Sequence, residues 1–110
     1  MHIGDLDGSS ISAGFRWNAS VTATVLDAGG GSVANATVVG TWTYGSRQIA
    51  DSCITDAVGQ CEVTFSDAPG WIPSVSFTVD DVTGTLTYNA ADNTDPDGDS
   101  DGVTIMVSRP

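Results

Sequence analysis

The sequence has no lysine, one histidine (His2) and one glutamate (Glu62). Nucleophilic machinery of the Ser/His/Asp or Cys/His kind would therefore have to use His2, at an end prone to fraying, and nothing nearby specifies a nucleophile or an oxyanion site. The cations are three arginines, Arg16, Arg47 and Arg109, set against 14 acidic residues for a formal charge of −11. That balance excludes nucleic acid and anionic membrane as general partners. No run of 18 apolar residues is present, so no membrane insertion is expected, and no basic region precedes an apolar stretch, so this segment carries no signal peptide of its own. It reads as a domain cut from a longer protein. With two cysteines and one histidine, the four ligands that zinc wants are missing. Cys53 and Cys61 are instead expected to form a disulfide, which points to an extracellular setting.

Helical periodicity is also missing. Across 110 residues, with 40% hydrophobic residues and 13 glycines, short alternating runs are broken by Gly, Asn, Asp or Pro about every ten residues. Strands are predicted over residues 16–26, 36–44, 46–54, 60–66, 75–81, 82–89 and 103–108. Turns are predicted over 27–32 (DAGGGS) and 55–59 (TDAVG), and a loop over 67–74 (DAPGWIPS). Gly40, inside a strand, marks a bulge or a close sheet contact. About seven antiparallel strands in one domain spanning 1–110 make an all-β, Greek-key β-sandwich. If residues 46–54 and 60–66 are hairpin partners, the disulfide joins them across the ladder and pins their register. Closing so short a loop stabilises the fold by about 2.5 kcal/mol.

The acid is almost all aspartate, 13 of the 14 residues. From Asp97 the chain reads D-G-D-S-D-G, which places Asp97, Asp99 and Asp101 at positions 1, 3 and 5 of an EF-hand-like loop, with Gly102 at the sharp turn and the Val103 carbonyl at position 7. Position 12 is Ser108 where a bidentate Glu is usual, so other carboxylates must complete the shell. Asp5 and Asp7 repeat the D-x-D-G spacing, and Asp92 and Asp95 add two more. Two acidic segments, 4–8 and 92–103, are therefore predicted to bind Ca2+. Calcium at a thousandfold above its dissociation constant would stabilise the fold by about 4 kcal/mol. The competing reading is a solvated acidic loop.

Residues 25–42 (VLDAGGGSVANATVVGTW), followed by 55–63 (TDAVGQCEV), resemble the bacterial Ig-like domains of the invasin and intimin type. The acidic ends MHIGDLDG and NAADNTDPDGDSDG, with the C-x-T-D-x-x-G-x-C pair, are similar to an Ig-like module at the C-termini of secreted bacterial hydrolases. The resemblance implies an Ig-like fold and a non-catalytic accessory or spacer role beside a catalytic domain of the parent chain. Binding is the rival function, because small sandwiches hold polysaccharide on aromatic platforms. Trp17, Trp42, Phe65, Phe77 and Tyr88 fall in strand patterns and read as core. Trp71, in a loop, either plugs one end of the sandwich or offers an exposed ring to a glycan or to a cell-surface protein, with Tyr44 at a strand end as its companion.

Overall fold

The computed structural model describes residues 1–96, 98 and 100–110. Seven strands run in the order β1 (His2–Ala13), β2 (Arg16–Leu26), β3 (Thr37–Tyr44), β4 (Arg47–Ile54), β5 (Gln60–Pro69), β6 (Ser74–Thr83) and β7 (Thr104–Ser108), with a 3-10 turn at Ala90–Asp92. They form two antiparallel sheets, β1-β2-β5 and β4-β3-β6-β7. β2 neighbours β5 and β3 neighbours β6, so the chain crosses between sheets, as a Greek-key, Ig-like sandwich requires. The body measures 43 × 24 × 23 Å.

Alternation decides which face each strand buries. In β2, Trp17, Ala19, Val21, Ala23 and Val25 face the core while Ser20, Thr22 and Thr24 between them face outward. β1 hides the same logic. A register shift between Ile3 and Asp5 lets both Ile3 and Leu6 reach the core although they are three residues apart. The sequence expectation missed this strand for that reason and placed one at 82–89, where the structure has none beyond the end of β6. Val82 and Thr83 continue β6, and Leu86, which mimics an alternating strand, is exposed.

The core is built around Trp42, whose ring lies 5.0 Å from Phe77 and 5.8 Å from Phe65. Its indole N–H donates to Asp51 Oδ2 at 3.1 Å. Gly40 makes this packing fit. A Cβ there would press into the Phe77 ring and come 2.5 Å from the Thr78 carbonyl oxygen, and the β3–β6 register shifts at Val39/Gly40, so both expectations for this glycine hold.

The turns at 27–31 (DAGGG) and 56–60 (DAVGQ) share one hydrogen-bond pattern. Asp27 Oδ1 accepts from the amides of Gly29 and Gly31, and Asp56 Oδ1 from those of Val58 and Gln60. The fourth residue of each, Gly30 or Gly59, has a positive φ of 86° or 78°, which only glycine adopts freely. Thr55, just before the second turn, ties it to the 33–36 segment: its hydroxyl donates to the Val33 carbonyl at 2.7 Å and accepts from the Ala36 amide at 2.9 Å. It is the one buried polar residue among those described.

Cys53 and Cys61 form the disulfide, with Cα atoms 5.7 Å apart. The expectation that they face each other across a hairpin ladder is corrected by the topology. Cys53 pairs with Val38 in one sheet and Cys61 with Ala23 in the other. β4 and β5 are edge strands of different sheets, so the bond staples the sheets together along one open side of the sandwich.

Candidate functional site

The opposite open side lies between the edge strands β1 and β7. The described residues of the 93–103 segment lie across it. The Thr94 amide donates to the Ile3 carbonyl at 2.9 Å, and the Thr94 hydroxyl to the Gly4 carbonyl at 3.3 Å. At the far end of the segment the Val79 amide donates to the Val103 carbonyl at 2.8 Å, and Ser100 bridges to Ile105. Asn93 is the hub. Its Oδ1 accepts from the Ile3 amide at 2.8 Å, while its Nδ2 donates to the Tyr88 hydroxyl at 2.7 Å and to the Gly102 carbonyl at 3.0 Å. The backbone of the acidic segment thus covers an edge that would otherwise present unpaired peptide groups.

This crossing sets the two acidic segments side by side. Asp5 and Asp95 each follow a partner in the Gly4–Thr94 contact. Asp5 is half-buried, with Oδ1 shielded from solvent. The Gly98 amide donates to the Asp95 carbonyl at 3.1 Å, and Gly98 has φ 74°. Asp95 Oδ2 accepts from the Ser100 hydroxyl. Its Oδ1 is buried and has no hydrogen-bond partner among the described residues. A shielded carboxylate oxygen without a proton donor is costly unless a positive charge meets it, and an oxygen-seeking divalent cation fits that need.

The other predicted ligands are placed differently. Asp101 Oδ1 accepts from the Thr104 amide at 2.7 Å and the Val103 amide at 2.9 Å. These backbone donors, Thr104 first, hold its carboxyl below the usual carboxylate range. Asp7 is exposed on β1, opposite Thr22. Asp92, in the 3-10 turn, accepts from Asn89 Nδ2 at 3.0 Å. The Val103 carbonyl is engaged by β6. Asp97 and Asp99 lie outside the described residues. Among the described residues, no group of three His, Cys, Asp or Glu side chains is placed to hold a metal ion.

The second candidate lies at the tip of the sandwich where the 14–15, 45–46 and 70–73 connections gather. There a cleft of about 500 Å3 is lined by Phe15, Arg16, Trp17, Trp71 and Arg109 with neighbouring small residues. Trp71 is 77% exposed, and the residue that plugs the sandwich end is its neighbour Ile72. Tyr44 sits at the same end but packs edge-on against Phe65 at 5.1 Å and lies under Arg47. The ring beside Trp71 in the cleft is Phe15, 98% exposed.

Phe15 and Asn93 were the residues that sequence reasoning passed over. A phenylalanine after Gly14 in a turn is a readable signal, because an aromatic there has no strand face to bury. Asn93 carries none, since its importance rests on three contacts distant in sequence or fixed by loop conformation. Comparisons with protein-family models, curated proteins and solved structures find no match for this chain.

Proposed function

We propose that this Ig-like sandwich is a non-catalytic accessory or spacer domain of a secreted bacterial protein, appended to a hydrolase, with Ca2+ as a structural ligand of its acidic segments. The observation that supports the calcium reading is the buried Asp95 Oδ1, which has no hydrogen-bond partner among the described residues and lies beside the Thr94–Gly4 contact. Asp95 and Asp5 would hold the ion together with Asp97, Asp99 and Asp101, with Asp7, Asp92 and the Val103 carbonyl in a lesser part. The ion would supply positive charge and rigidity, without chemistry. It would do for the β1/β7 side what the disulfide does for the β4/β5 side. Support for the secreted setting comes from the disulfide, and support for the accessory role from the resemblance of residues 25–42, 55–63 and the two acidic ends to bacterial Ig-like modules.

A calcium titration of the chelator-stripped domain, followed by calorimetry and native mass spectrometry, tests this reading. Saturable uptake that Asp95→Asn weakens about tenfold or more is expected, since a ligand carboxylate is lost. Absence of any calcium-bound species at millimolar calcium would remove the ion from the account.

A further inference from the structure

The three arginines of this strongly acidic chain all stand at one tip. Arg16 opens β2 opposite Pro69, Arg47 opens β4 opposite Tyr44, and Arg109 follows Ser108, which pairs with Ser74. The same tip carries Phe15 and Trp71, the most exposed of the large hydrophobic residues. Polar and apolar contacts hold this surface in shape. Arg16 Nη1 donates to the Asp67 carbonyl at 3.2 Å, and Arg109 Nη1 to the Gly70 carbonyl at 2.7 Å. Gly70 lies hard against the Phe15 carbonyl, and Ile72 is buried beneath the turn that presents Trp71. Both guanidinium groups spend one of their five N–H donors on a neutral carbonyl, so their charge and most of their donors remain.

From this geometry we propose that the cleft binds an anionic sugar unit, a uronate or a sulfated sugar, at the end of a glycan chain. The apolar face of a pyranose ring covers Trp71 and Phe15. Its carboxylate or sulfate pairs with Arg16 and Arg109, whose planar forks suit such oxyanions. A cleft of about 500 Å3 falls within the range of small-molecule sites and holds one or two sugar rings. The position at a tip, not along a sheet face, selects a chain end over a continuous chain. A nucleic acid strand fits less well, because it needs cations tracking several phosphates, and beyond this tip the molecule is acidic. The inference is independent of the calcium reading, which concerns the β1/β7 side.

The test is calorimetric titration of the intact domain with trigalacturonic acid, a sulfated disaccharide, maltotriose and hexathymidylate, each with and without calcium. At least one anionic sugar should bind tenfold or more tightly than maltotriose, and which one does identifies the oxyanion. Trp71→Ala and Arg109→Gln should each weaken it about tenfold or more. Phe15→Ala should also weaken it, and because that ring has almost no contacts, its effect is free of any folding defect. Tyr44→Phe should leave binding within twofold. Equal binding of maltotriose, no binding of either anionic sugar, tighter binding of hexathymidylate, or indifference to both Trp71→Ala and Phe15→Ala would overturn the proposal. A trigalacturonate signal that requires calcium and survives Trp71→Ala would do the same, by moving the sugar to the acidic segments.

Discussion

Thr55 shows how one hydroxyl can anchor a turn to a neighbouring segment. It satisfies an amide and a carbonyl of the 33–36 segment from within the core. Thr55→Val keeps the shape and strands the Ala36 N–H, so denaturant unfolding should show a loss of about 1–3 kcal/mol, with Thr55→Ser recovering most of it. Gly40→Ala should cost a similar amount, about 1–3 kcal/mol, because the added methyl meets the Phe77 ring and the Thr78 carbonyl in a core already filled. Gly40 was readable as a special position, since a glycine inside a run of Val, Thr and Trp weakens its strand and is tolerated where a neighbour needs the space. The turn chemistry of Asp27 and Asp56 was equally readable. Both depend only on neighbours in sequence. The contacts of Asn93 and the burial of Asp95 Oδ1 depend on the distant β1 and on a loop conformation, and no local pattern announces them.

At the scale of elements, the disulfide acts on the pairing of sheets and not on a hairpin. Reducing it, or replacing Cys53 and Cys61 by alanine together, should lower stability by about 2.5 kcal/mol. Hydrogen exchange should locate the loosening in β4, whose outer face is largely exposed, while the β2–β5 ladder stays protected. Equal loosening of β5 from β2 would contradict the cross-sheet role. The cysteine spacing predicted the bond, but eight residues are as compatible with a chain crossing between sheets as with a hairpin. Strand count came out right through two compensating differences. β1 was concealed by its acids and by the bulge that puts Ile3 and Leu6 out of simple alternation, and residues 84–89 alternate without a sheet edge to join.

For the whole molecule, the sandwich has two open sides and closes them by different means: a covalent bond between β4 and β5, and a polar, acidic segment between β1 and β7. Charge is divided along the same body, with all three arginines at the tip that carries Phe15 and Trp71. Composition revealed the acid excess but not this separation, because Arg16, Arg47 and Arg109 are dispersed in sequence and meet only through the strand registers. On our proposal, calcium completes the second closure. The most direct test is thermal unfolding of the stripped domain in chelator and in 1 mM calcium, for the native chain and for Asp95→Ala. With a stabilisation of about 4 kcal/mol, calcium should raise the native melting temperature by about 15 °C and that of Asp95→Ala by much less. Superimposable curves with and without calcium would contradict the claim and leave the acidic segment as a hydrogen-bonded cover alone.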